Sequence, residues 1–325
     1  MSGWVLPEVL RDAPAYTPRP SELADLELLL SGAYAPLTSL PTREDLRSVA
    51  SRGQLSDGTP WPLPVTLEVP VNLLEQLDRA NPLRRALIVT DMEGAPVAAV
   101  DVVDHWASRD EMACVGGPVR QIGERGRGPF QALRRTPAEV RATLPPGRVL
   151  GVFAEAPLHR PQLAQIALAA RTLQAHLVVL IPVAEAGPDG LAPEALVRCV
   201  LAARDRMPPA TIVTVPLLRR GNEIWDALRR ARVAQAYGVT HLLATGSELS
   251  GGGPRVIIPR ELAYDNRDGQ WRGKDDIPPP NQRAPLTPEQ IADLLDRGFP
   301  LPEWHTPPAV AAQLARARPR RAVRG

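Results

Sequence analysis

Arg148-Val-Leu-Gly-Val-Phe-Ala154 is a short apolar run, Pro157-Leu-His-Arg160 a tight turn, and His176-Leu-Val-Val-Leu-Ile-Pro182 a second apolar run. Between the runs, residues 161–173 place Leu163, Ile166, Ala167, Ala170 and Leu173 on one helical face, and Pro161 suits the first helical position. Two apolar runs flanking an amphipathic helix predict a βαβ unit that opens a parallel sheet. The turn sets His159 and Gln162 at a helix N-terminus, where unpaired N–H groups and the helix dipole favour an anion. This is where the sequence places any chemistry.

Downstream the alternation continues, with a helix over 193–206, a strand over 210–215, a helix over 222–237 and a strand over 238–244. That grammar predicts a doubly wound parallel α/β sheet with ligands at the carboxyl ends of its strands. From Gly251 the chain turns polar and proline-rich, apart from strand-like Arg255-Val-Ile-Ile258 and a helix over 287–297 capped by Thr287. The tail from Leu314, with Arg316, Arg318, Arg320, Arg321 and Arg324, reads as a linker or disordered arm.

Upstream, Pro145-Pro-Gly147 is a natural linker, and the first 140 residues read as mainly β with small helices. One helix starts at Ser21 as N-cap, and Thr42-Arg-Glu-Asp45 signals a second that ends near Gly53. Asp57-Gly58 is a turn, 61–69 an edge strand that tolerates its prolines, and 85–90 with 96–103 a hairpin. The domains expected are 1–145, 146–265 and 266–325.

The composition narrows the function classes. At 325 residues with 44% hydrophobic content, the chain is long enough for about two domains with real cores. No apolar run approaches the roughly 20 residues of a membrane span, and the N-terminus lacks the pattern of a leader, so the cytoplasm is the expected compartment. Cys114 and Cys199 stand alone, which signals neither a disulfide framework nor a zinc site. Net charge is +2, without aromatic-basic interleaving, which argues against nucleic acid. Lys274 is the only lysine, so the βαβ region has no lysine to anchor a phosphate. The glycines at 123–128 and 251–253 lack the strand–turn–helix context of a dinucleotide or Walker loop. Nothing fixes a distance between Glu155 and Glu248, so no metal site is read.

Four groups of residues resemble the ATP sulfurylase (sulfate adenylyltransferase) family. They are Gly32-Ala-Tyr-Ala-Pro-Leu37 with Asp57-Gly-Thr-Pro-Trp-Pro-Leu-Pro-Val65, the turn Ala156-Pro-Leu-His-Arg-Pro-Gln162, the strand Tyr237-Gly-Val-Thr-His-Leu-Leu243, and Leu301-Pro-Glu-Trp304 with Pro307-Pro-Ala-Val310. The resemblance implies an N-terminal PUA-like β domain, a Rossmann-like nucleotidyltransferase domain and a small C-terminal domain. It also implies joining of sulfate to the α-phosphorus of ATP, with Mg as the accompanying ion and no tightly bound cofactor. As partners it implies a nucleotide (ATP or adenylylsulfate), an adenylylsulfate kinase domain or protein, and a homo-oligomer.

The family holds sulfate and nucleotide with Gln-x-Arg-Asn before a His-x-x-His turn, and with Gly-Arg-Asp after a later strand. Here the Gln, Arg and Asn positions are Phe153, Glu155 and Ala156, the second His is Gln162, and Thr245-Gly-Ser-Glu248 stands where Gly-Arg-Asp would fall. A carboxylate about 4 Å from sulfate repels it by roughly 4 kcal/mol at an effective dielectric near 20. His159 is the one residual catalytic candidate, either a phosphate contact or only a cap of its turn. The nucleotide-binding candidates are His159, Arg160, Gln162, Arg219 and Arg220, with a solvated surface role as the alternative reading of the arginines. The resemblance thus points to a sulfurylase-like protein of sulfate activation with impaired or no catalysis and a regulatory or scaffolding role. The alternative is an active nucleotidyltransferase using sulfate or another anionic acceptor.

Overall fold

The computed structural model describes residues 10, 12–80, 85–123, 129–244 and 253–317. The chain begins with β1 (Ala15–Tyr16), α1 (Pro20–Ser31), β2 (Ser39–Leu40), α2 (Arg43–Arg52), β3 (Leu67–Pro70) and α3 (Val71–Ala80). It continues through β4 (Ala86–Thr90), β5 (Pro96–Asp101), β6 (Asp104–Ala107), β7 (Met112–Gln121) and α4 (Pro137–Arg141). The alternating region follows as β8 (Val149–Phe153), α5 (Arg160–Leu173), β9 (His176–Pro182), α6 (Pro193–Ala202), β10 (Ala210–Val215), α7 (Glu223–Ala236), β11 (His241–Leu243) and β12 (Arg255–Ile257). The last elements are β13 (Leu262–Asp265), β14 (Gln270–Gly273), β15 (Gln282–Arg283), α8 (Pro288–Asp296) and α9 (Pro308–Ala317).

These elements fall into two compact units, one of residues 1–138 with 216–236, the other of residues 139–215 with 237–325. In the first, β7 is the hub. It pairs antiparallel with β2, β3, β5 and β6, and β4 joins β5 to the parallel edge strand β1. Thr42 caps α2, its hydroxyl accepting from Asp45 N, and Gly53 closes the helix at φ 66°. Helix α1 starts two residues earlier than Ser21 as its cap would place it. Pro20 takes the first helical position, so Arg19 is the cap residue and its N–H goes to Glu22 Oε2 at 3.1 Å. The alternation over 61–69 is real in burial, with Trp61, Leu63, Val65, Leu67 and Val69 all at most 1% exposed. Its ladder starts only at Leu67, because Pro62 and Pro64 cannot donate. The long central strand β7 and helix α3 were not expected, although Leu73, Leu74 and Leu77 lie buried on one face of α3 at helical spacing.

In the second unit every pairing of the larger sheet is parallel, in the order β10-β9-β8-β11-β12. Numbered along the chain this is 3-2-1-4-5, the doubly wound order, and it places the switch point between β8 and β11. Leu177, Val178, Val179, Leu180 and Ile181 are all 0% exposed, as a strand covered on both faces requires. Arg255–Ile257 adds a fifth strand beyond the expected series. The polar region beyond it is ordered as a small antiparallel sheet, β14-β13-β15, whose β13–β14 turn is the Asp265 to Gly269 segment. The expected tail starts too early: α9 runs to Ala317 and buries Leu314, while residues 318–325 lie outside the described ones. Among the described residues no helix is long and apolar enough to cross a membrane.

Gly151 lies in β8 where a Cβ would stand 2.7 Å from both Val239 methyls. Gly151→Ala is therefore expected to cost about 1–3 kcal/mol through overpacking, read as a lower urea midpoint at unchanged m-value.

Candidate functional site

The switch-point turn runs from Phe153 at the end of β8 to His159, the N-cap of α5, whose backbone is extended at φ −85° and ψ 171°. Such a helix end leaves its first-turn N–H groups unpaired, and these are what an anion would use. Here most of them are engaged. Arg160 N donates to the His305 carbonyl at 2.8 Å, Pro161 has no N–H, and Leu163 N already bonds to His159 O at 2.9 Å. Gln162, exposed to solvent, keeps the one remaining first-turn donor. The anion cradle expected from the sequence is thus largely closed by the chain's own residues 303–306.

His159 turns inward. It is 7% exposed, and its Nδ1 lies 3.0 Å from Thr306 Oγ1. Its ring centroid is 4.8 Å from that of His305. Burial, together with the neighbouring His305, pushes its imidazole down to about 4, so the ring is neutral at pH 7 and offers a phosphate no charge. The Arg160 Nε donates to the Glu303 carbonyl, which holds the guanidinium stem against the same segment. Behind them, Trp271 Nε1 donates to Trp304 O at 3.0 Å, Tyr264 packs against both tryptophans, and Arg283 lies 4.0 Å over the Trp304 ring.

Carboxylate residues follow two strands of the sheet. Glu155 follows β8, and Glu185 and Asp189 follow β9. The loop carrying them folds onto Glu155: Gly187 N bonds to Leu191 O at 2.9 Å, and a Cβ on Gly187 would stand 3.0 Å from the Glu155 carbonyl. Thr245, Gly246, Ser247 and Glu248, which follow β11, lie outside the described residues. So do most of the glycines at 123–128 and 251–253. Among the described residues no group of three His, Cys, Asp or Glu side chains is arranged to hold a metal ion. Cys199 is fully buried in α6, and burial pushes its thiol up to about 12, beyond use as a nucleophile at neutral pH.

Arg219 and Arg220 belong to the other compact unit. Arg220 is tied there. Its guanidinium pairs with the Asp25 carboxylate, 5% exposed, and donates to Ser21 O at 2.9 Å. Asp25 in turn accepts from Tyr34 Oη at 2.7 Å, and Tyr34 meets Trp61 edge-on at 5.4 Å. Arg220 N bonds to both oxygens of Asp226, which also pairs with buried Arg229 at 3.3 Å. The structure therefore gathers His159, Arg160 and Gln162 at one helix end and gives Arg220 a structural partner. His305 and Thr306 were missed by sequence reasoning; the signal was the Trp304-His-Thr306 run just before the prolines that start α9.

Residues 8–116 match the model of the PUA-like domain and residues 131–270 that of ATP-sulfurylase. The chain thus carries an ATP-sulfurylase domain behind a PUA-like one. Curated relatives include the sulfate adenylyltransferases of Yarrowia lipolytica, 25% identical over 357 aligned residues, and of Mycosarcoma maydis, 24% identical over 359. Each alignment covers 94% of this chain and 62% of the relative. Among solved structures, the hexameric APS kinase from Thiobacillus denitrificans is similar at a TM-score of 0.78 and 30% identity, over 95% of this chain and 64% of that one. The chain thus spans a little under two thirds of the length of these relatives. The PUA-like and Rossmann-like parts expected from the motifs are both present.

Removing the Arg220 side chain leaves the Asp25 carboxylate buried with Tyr34 as its remaining side-chain partner. Arg220→Ala is expected to cost about 1–3 kcal/mol, less than a fully buried pair because Arg220 is partly exposed, read from the urea midpoint.

Proposed function

We propose that this chain is a sulfurylase-fold module of cytoplasmic sulfate activation that does not itself make adenylylsulfate, and that it serves as a scaffold or regulator beside an adenylylsulfate kinase. The observation that carries this reading is the engagement of His159. The one polar residue left of the family's catalytic set is buried, neutral and bonded to Thr306.

The chemistry supports the same reading. Attack of sulfate on the α-phosphorus of ATP brings two anions together, so the site must supply positive charge and oriented donors. At this switch point the family's Gln, Arg and Asn are replaced by Phe153, Glu155 and Ala156, and the loop after β9 adds Glu185 and Asp189. With the Arg160 N–H engaged, Pro161 lacking one and Glu155 in the Arg position, the described part of the switch point offers little to a triphosphate with its Mg ion or to sulfate. Losing one oriented donor typically costs about 10²- to 10³-fold in rate, and several such losses together suffice to abolish turnover. A kinase partner and a homo-oligomer both draw support from the likeness to a hexameric APS kinase.

Two measurements test the reading separately. With pure protein, ATP, Mg and sulfate, pyrophosphate release is expected to stay at background; turnover of roughly 1 to 10³ s⁻¹ would establish the active nucleotidyltransferase instead. Calorimetry against an adenylylsulfate kinase from the same source is expected to show binding, and a flat titration would remove the scaffolding role.

A further inference from the structure

Thr306 Oγ1 lies 3.0 Å from His159 Nδ1 and 3.1 Å from His305 Nδ1. The three residues are 0%, 7% and 1% exposed, respectively. A hydroxyl has one proton to give, so it donates to one imidazole and accepts from the other. The two neutral rings therefore hold opposite tautomers, and one threonine reads both. The backbone closes the same joint, with Arg160 N on the His305 carbonyl at 2.8 Å and Arg160 Nε on the Glu303 carbonyl.

We propose that His159, Thr306 and His305 form an acid-released latch that holds residues 303–306 across the N-terminus of α5. A proton added at Nδ1 of the accepting ring ends the donation from the hydroxyl, whereas one added at Nε2 of the donating ring leaves it in place. Either proton sets a positive charge beside the other imidazole and against the positive end of the helix, out of water. The charged and titratable groups packed around the joint do not relieve that charge. On α5 the neighbour is the Arg160 cation, and on the strap it is Glu303, whose carbonyl rather than carboxylate takes the Arg160 hydrogen bond. From β14 it is the edge of Trp271, 6.4 Å from His305 between centroids, with Trp304 at 5.5 Å and Tyr264 of β13 behind them. Among the described residues no carboxylate hydrogen-bonds to either ring.

Burial holds both imidazoles at about 4, with their mutual repulsion adding to it for His159. Once released, each returns toward the ordinary value near 6.5. The released state therefore binds more protons between those two values. The latch is fully favoured above about 6.5, weakens as pH falls through that window and weakens no further below about 4. It stands whether or not the chain turns over ATP.

The test follows the Arg160 amide and the Trp271 indole N–H by NMR from pH 8 to 3, with far-UV circular dichroism in parallel. Both signals are expected to move in one step with its midpoint between about 4 and 6.5, while the circular dichroism keeps its neutral-pH value. The step should vanish in the His159→Gln, His305→Gln double variant. Reporters that follow the circular dichroism in a single transition, or a step that persists in the double variant, would overturn the latch. If the double variant does not fold, Thr306→Val and Thr306→Ser decide. Loss of the hydroxyl should raise the midpoint by about one pH unit or more while serine leaves it in place, and an unmoved midpoint in Thr306→Val would refute the proposal.

Discussion

A helix that begins at the switch point of a parallel sheet must have its first N–H groups satisfied, by a ligand or by the protein. In this chain the protein satisfies them, through the His305 carbonyl on Arg160 N and a proline in the next position. Much of the second unit depends on that choice. Residues 301–306 must be held in place, so His159 turns away from solvent toward Thr306, and the tryptophans of β14 and the strap pack behind. A residue that a motif presents as a phosphate contact thus becomes a joint between chain segments nearly 150 residues apart.

Polar burial organises the first unit in the same way. Asp25 is taken out of water only because Tyr34 and Arg220 reach it together, and Arg220 is positioned by Asp226, which its own backbone N–H bonds. Removing Arg220 from such a chain leaves a buried carboxylate without its counter-charge, which costs more than the intact pair contributes. Arg220 shows how an arginine that sequence alone offers to a nucleotide can hold a buried carboxylate of its own chain.

What the sequence made legible follows the range of the forces involved. The bounds 176–182 and 210–215 emerged intact because a doubly covered strand needs a continuous apolar run, and the caps at Thr42 and Thr287 because a capping box is local. The first cap of α1 shifted by two residues because Pro20 competes with Ser21 for the same start. The small sheet β13–β15 stayed hidden because its strands are two to four residues long and flanked by prolines. In the site, the replaced motif positions were readable through the resemblance to the sulfurylase motifs. The fate of His159 was not, since Thr306 and His305 approach it only through the tertiary fold.

The path of the backbone between the two units has a consequence for how the protein can be divided. The chain leaves the second unit after Val215, builds α7 into the first, and returns at Tyr237 to complete the parallel sheet with β11. Neither unit is therefore a continuous stretch of gene. A fragment that starts after residue 138 carries α7 with it but strips Asp226 and Arg229 of the surroundings that bury them, and one that ends there lacks α7 altogether. A single cut after residue 138 therefore separates α7 from the rest of the unit it belongs to.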